Sequence, residues 1–227
     1  QDLDVRGLSV GSPHKEEVVR HLSHVDKVSD SIRAADTVLY HDDGASYGYN
    51  CDSRAAVVGL MKASGVKSDT ALEGKRALVM GAGSVATAVV HGLVQAKVQV
   101  IVTSRTIARA RDLADMADGR AVEWDSRYAV QADMVVNCTP VGMHPNVDET
   151  PYEVANLKRN WLVCDMVYNP ERTMLVKDAR GQGCRVVTGV DTFVRHAAMQ
   201  FKLFTDQSPP LEVMRSALRR VIGAAKL

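Results

Sequence analysis

The sequence predicts a doubly wound parallel α/β sheet joined to a second, smaller α/β domain, and three observations predict it. From residue 76 onward, short runs that are apolar on both faces follow one another: RALVM, VQVIVTS, DMVVNCT, WLVCDMV and CRVVTGV. Strands apolar on both faces suit a parallel sheet covered by helices on each side. Helical patterns fall between several of them, over residues 84–95, 107–116 and 172–181, which is the rhythm of βαβ units. The flanks do not share that rhythm, and 227 residues suffice for two modest domains.

In chain order, the flank opens with a strand over residues 7–10, an amphipathic helix over 14–22 and a second helix over 25–34. Two strands at 37–40 and 45–49 are separated by the turn-forming HDDG, and a helix over 54–63 follows. The polar stretch SGVKSDTALEG then reads as a linker into the parallel sheet. After residue 189 come two helices, 192–204 and 211–222, separated by DQSPP and expected to pack back on the first domain. The division is therefore 1–68 with 191–227 for one domain and 69–190 for the other.

Charge and composition narrow the function. With 28 Lys+Arg against 27 Asp+Glu, no long-range field draws the chain to nucleic acid or a membrane surface, so small molecules are the expected partners. No apolar run reaches about 18 residues. QDLDVRG carries no signal-peptide pattern, and the chain reads as soluble and cytoplasmic. Cys51, Cys138, Cys164 and Cys184 are scattered without a C-x-x-C pair, which fits buried thiols in a reducing compartment. The seven histidines form no ligand-spaced cluster, so no metal is expected.

GAGSVA, Gly81, Ala82, Gly83, Ser84, Val85 and Ala86, is a G-x-G-x-x-A match between a strand and a helix. There the first glycine permits the tight turn, the second lets backbone approach a pyrophosphate, and the small Ala86 allows close helix-to-strand packing; this makes the sheet Rossmann-like. An NAD site would place a carboxylate about 20 residues on, at the end of the next strand. Here that strand ends in Ser104, Arg105 and Thr106, with Arg109 one helical turn later. Guanidinium groups suit a 2′-phosphate, so NADP is the predicted cofactor.

Six motifs then coincide: SVGSPHK (9–15), GYNCD (48–52), GAGSVA, SRTIARA (104–110), NCTPVGM (137–143) and DMVYNP (165–170). Their order and spacing resemble shikimate dehydrogenase over nearly the whole chain. MHPNVDETP (143–151) is most similar to the form fused behind a 3-dehydroquinate dehydratase domain, which implies such a domain as a neighbour, and a plastid if the source is a plant. The resemblance implies NADP-dependent interconversion of 3-dehydroshikimate and shikimate in aromatic amino acid biosynthesis. It implies Lys15 as catalytic lysine with Asp52 as its partner, and Ser9, Asp36, Asn50, Tyr168 and His196 at the substrate. Cys138, Thr139, Pro140, Val141, Tyr168 and Gly189 are implied along the cofactor. The chemistry agrees, because reduction of a ketone needs a group that polarises the carbonyl and returns a proton, and an aimed lysine can do both. His14 is read as structural.

Departures from the family pattern gather on the substrate side. Gly11 and Ser12 stand for threonine and an apolar residue, Arg33 for glycine, Asp36 for a substrate-binding asparagine, Cys51 for threonine, Thr192 for methionine and His196 for glutamine. The family's opening Ser-x-Ser has no counterpart before Gln1, which implies an open edge on the first sheet. Besides the shikimate reading, these changes leave open a relative acting on another substrate such as quinate, or a metabolite- or NADP-sensing module. Retention of Lys15 and Asp52 favours an enzyme.

Overall fold

The computed structural model describes residues 5–66, 68 and 70–224. Six strands form one parallel sheet: β5 (Arg76–Met80), β6 (Gln99–Thr103), β7 (Arg120–Val122), β8 (Met134–Asn137), β9 (Leu162–Asp165) and β10 (Arg185–Val187). Their spatial order is β10-β9-β8-β5-β6-β7, so the chain winds outward from β5 in one direction and, after returning at β8, in the other. Alternate residues of these strands feed two cores. Val79, Val136 and Cys164 pack with Ala86, Val89 and Leu93 of α3 (Ser84–Gln95) and Leu113 of α4 (Ile107–Asp115). On the other face Leu78, Val135 and Val163 pack with Tyr152, Trp161 and Leu175, the last from α5 (Met174–Gly181). Strand β7 lies outside the predicted runs, because three residues with an arginine at one end and no buried position carry too little apolar signal.

A four-stranded sheet of order β1-β3-β4-β2 precedes it, built from β1 (Gly7–Ser9), β2 (His24–Val25), β3 (Thr37–Tyr40) and β4 (Ser46–Tyr49). Helix α1 (Lys27–Ile32) is capped by the Asp26 carboxylate, which accepts from Ser29 N–H, and α2 (Asp52–Ser64) leads toward the parallel sheet. The helix expected over residues 14–22 is absent: turns run from Ser12 to Glu17, followed by one 3-10 turn, Val18–His21. The Lys15 carbonyl is taken by the Ala35 N–H at 2.9 Å, and the Lys15 side chain turns inward, so neither serves a helix there.

At the C-terminal end α6 (Gly189–Thr205) begins with a capping box between Thr188 and Asp191. It crosses the first sheet, where Gln200 Nε2 donates to Ser9 Oγ, the Asp36 carbonyl and Thr37 Oγ1 at 3.1, 3.0 and 2.9 Å. Helix α7 (Leu211–Ala224) packs on α6 through Met214, Leu218 and Ile222. No helix among the described residues is long and apolar enough to cross a membrane.

Candidate active site

Ligands of open α/β sheets bind outside the carboxyl ends of the strands where the winding reverses, here between β5 and β8. Two cavities lie there. One, of about 610 Å³, is lined by Ser9, Gly11, Ser12 and Lys15 from the first sheet's side, and by Gly83, Ser84, Val85, Cys138, Thr139 and Pro140 from the glycine-rich turn and the β8 loop. Met166, Val167 and Tyr168 after β9, with Gly189, Thr192, Phe193 and His196 of α6, close it. Ser12 Oγ and Ser84 Oγ meet across it at 3.5 Å.

At the inner end Lys15 and Asp52, each 8% exposed, form an ion pair and hydrogen bond through Nζ and Oδ2. Both groups are placed by backbone. Lys15 hangs from the turn whose carbonyl is tied to Ala35, and Asp52 is the first residue of α2. A lysine so fixed presents its ammonium at one point of the cleft, which a solvated lysine does not.

Asp36 is fully buried behind the cleft wall rather than on it. Its carboxylate accepts from Thr37 Oγ1 at 2.6 Å and from the backbone N–H groups of Cys51 and Asp52 at 2.8 and 2.9 Å. Burial raises its pKa, but the proximity and charge of His196, with the hydrogen bonds from Thr37 Oγ1 and the Asp52 N–H, outweigh burial and hold it below the usual carboxylate range. His196 Nε2 stands 3.4 Å from Asp36 Oδ2 and 3.6 Å from Asp52 Oδ1, within ion-pair reach of both and aligned for a hydrogen bond with neither. These three side chains have the spacing of a metal cluster. The Lys15 ammonium already pairs with Asp52 through Oδ2, and Asp36 Oδ2 accepts from two backbone N–H groups, so the group reads as an ion-pair cluster. Asn50 also lies off the cleft: its amide donates to the Ala34 carbonyl and accepts from Ser53 N–H, bracing the start of α2.

The second cavity, about 490 Å³, is lined by Gly81, Ala82, Gly83, Ser104, Arg105, Thr106, Arg109 and residues Cys138 to Val141. Trp124, His144, Asn146 and Glu149 complete it and were not singled out from sequence; Trp124 follows the unrecognised β7, whose position was its only signal. The residues fit a phosphorylated dinucleotide. Gly81 holds a φ of +114°, and an added Cβ would press to 3.0 Å on the Cys138 carbonyl, so the turn stays open only with glycine. Gly83 caps α3 with no side-chain bond to the first turn and no acidic residue in it, leaving the N–H groups and dipole for an anion. Arg105 and Arg109 are exposed and without ion-pair partners among the described residues, although Glu149 shares the cavity. Ala86 is fully buried in the helix-to-sheet contact.

The loops after β8 and β9 are tied together below the cleft. Asp165 accepts from Asn137 Nδ2 and Val167 N–H, each at 3.0 Å, and from Thr173 Oγ1 at 2.6 Å. Asn137 Oδ1 in turn accepts from Thr139 N–H at 3.0 Å and Thr139 Oγ1 at 2.6 Å. Burial pushes the Asp165 carboxyl up to about 6 against those three donors.

The sequence profile of the Shikimate / quinate 5-dehydrogenase family matches residues 64–166. A Shikimate dehydrogenase (NADP(+)) of Bacillus cereus (strain B4264) is 32% identical over 228 residues, covering 97% of this chain and 80% of the relative. The chain belongs to the shikimate dehydrogenase family. Two solved members agree in fold. Quinate dehydrogenase from Corynebacterium glutamicum in complex with NAD superposes with a TM-score of 0.85 at 32% identity, over 95% of this chain and 78% of that one. The Thermus thermophilus shikimate 5-dehydrogenase in complex with NADP(H) and shikimate gives 0.84 at 31% identity, over 96% and 79%. The resemblance drawn from six motifs and the expected doubly wound fold therefore both hold for this shikimate dehydrogenase family member.

Proposed function

We propose that this family member catalyses the NADP-dependent, reversible reduction of 3-dehydroshikimate to shikimate, with residues 1–68 and 191–227 forming the substrate side and 69–190 the cofactor side. The observation that carries the reading is the buried Lys15–Asp52 pair at the inner end of a cleft whose other wall is the glycine-rich turn. NADPH, when bound, supplies the hydride. Lys15 polarises the ketone oxygen and delivers a proton from Nζ as the hydroxyl forms, and in the reverse direction it accepts that proton. Asp52 keeps the ammonium in place, and its carboxylate offsets the cation when no substrate is there. Tyr168, packed at a tilt against Phe193 with ring centroids 4.9 Å apart, walls the cleft beside Gly189, while Ser9 and His196 face the substrate. Arg105 and Arg109, with Ser104 and Thr106, would hold the 2′-phosphate, and Gly83 with the α3 N-terminus the pyrophosphate.

One observation favours quinate as a second substrate. Gly11 lines the cleft, and a Cβ there would meet nothing within 4 Å, so the cleft has open space at Gly11 for an additional substituent. The likeness of residues 143–151 to the fused form supports a dehydratase domain as the source of the ketone, and four unpaired cysteines suit a reducing cytoplasm or plastid.

The test is NADPH formation from NADP+ with shikimate and with quinate, run beside a titration of NADPH binding. Turnover with shikimate supports the first reading, and faster turnover with quinate the second. Tight NADPH binding without turnover of either would refute both.

A further inference from the structure

The substrate side of the cleft holds a buried charge arrangement that the Lys15–Asp52 chemistry does not use. Around His196 are Asp36 ahead of β3, Asp52 at the start of α2, Lys15 in the turn after β1 and Tyr168 after β9, with Cys51 behind them beside Thr37. The Cys51 thiol is pushed up to about 12, by burial first and then by the Asp36 and Asp52 charges, so it contributes no charge. Asp36 accepts from Thr37 Oγ1 and from the backbone N–H groups of Cys51 and Asp52, donors that favour its ionised form, and it is sealed from solvent, so its field is little screened. One ammonium then stands against two carboxylates. With a neutral imidazole the group carries one net negative charge; with an imidazolium it carries none. His196 lines the cleft, and its Nε2, buried between the two carboxylates, has no hydrogen-bond partner among the described residues, so its relation to them is one of charge and distance.

We propose that His196 is a specificity-determining residue: its imidazolium, set between the Asp36 and Asp52 carboxylates, cancels their excess charge and admits a carboxylate-bearing substrate. The inference rests on reading the cleft as a hydroxy-acid site and names the charge state in which that acid binds. A glutamine at position 196 could donate a hydrogen bond but could not cancel the charge, and an asparagine at position 36 would remove the need to cancel it. Residues 36 and 196 therefore act as a pair.

The test is calorimetric binding of shikimate and of its uncharged methyl ester to NADP-loaded protein, to His196→Gln, Asp36→Asn and the double variant, at a series of rising pH values. In the wild type, the dissociation constant for the acid should rise about tenfold as the imidazole loses its proton, while that for the ester stays level. His196→Gln should bind the acid about tenfold more weakly at the acidic end and show no pH dependence, and adding Asp36→Asn should restore affinity. NADPH affinity, set by residues of the other cavity, checks that each variant is folded. Parallel loss of acid and ester, or a His196→Gln variant that keeps the wild-type pH dependence, would overturn the proposal. Turnover is measured on the same samples. Turnover with binding indifferent to His196 removes this inference alone; charge-selective binding without turnover of shikimate or quinate removes the redox reading alone. Absence of any binding of the acid removes both.

Discussion

Replacing Asp165 by asparagine isolates the cost of a buried carboxylate beneath the cofactor loops. In the folded chain its carboxyl is raised from the ordinary 3.8 to about 6 because burial outweighs the hydrogen bonds from Thr173, Val167 and Asn137. For an acid raised on folding, nothing is lost below the unfolded value, where both states are protonated. Between there and about 6 the unfolded chain ionises while the folded one keeps its proton, so stability falls as pH rises, and above 6 the full penalty stands. That rise in pKa corresponds to a penalty on the order of 3 kcal/mol. Asp165→Asn lacks the titration, and Thr173 can reverse its hydroxyl to accept from the new amide. Denaturant unfolding of both proteins from about pH 4 to about pH 7.5 should show the variant gaining on the wild type by about 2.5 kcal/mol, whatever the constant offset between them. A difference that stays level with pH would refute the reasoning.

Three further perturbations test the cleft. Lys15→Ala should lower kcat by roughly a hundred- to ten-thousand-fold while NADPH affinity, measured by fluorescence titration, barely changes; normal turnover would remove Lys15 from the chemistry. Arg105→Ala should weaken NADP binding by about ten- to a hundredfold and leave NAD binding nearly unaltered, since only the former carries the phosphate. Gly189→Ala should destabilise by about 1–3 kcal/mol in thermal or denaturant unfolding, because the new Cβ would collide with the Val167 carbonyl where α6 leaves the cleft.

The parallel sheet was legible because each of its longer strands is apolar on both faces, and the glycine-rich turn because its φ requirement restricts the residue type. The turn after β1 was not legible. HKEEVVRHL carries a helical spacing, yet the Ala35 N–H captures the Lys15 carbonyl, and that partner is 20 residues away. Strand β7 escaped for a related reason: it is held by its ladder with β6, a neighbour the local pattern does not reveal. In the site, sequence motifs named Lys15, Asp52, Arg105 and Gly81 but assigned Asp36 and Asn50 to the substrate, whereas both brace the wall from behind.

Local chemistry therefore settled the βαβ rhythm, the turn that opens α3 and the presence of arginines rather than a carboxylate after β6, since each depends on residues within a few positions of one another. Which charges meet was decided by the fold. Lys15 reaches Asp52 across 37 positions of the chain, and His196 arrives from α6 to stand between Asp36 and Asp52. Electrostatic energy depends on distance and burial in space, and neither is written in the order of the residues.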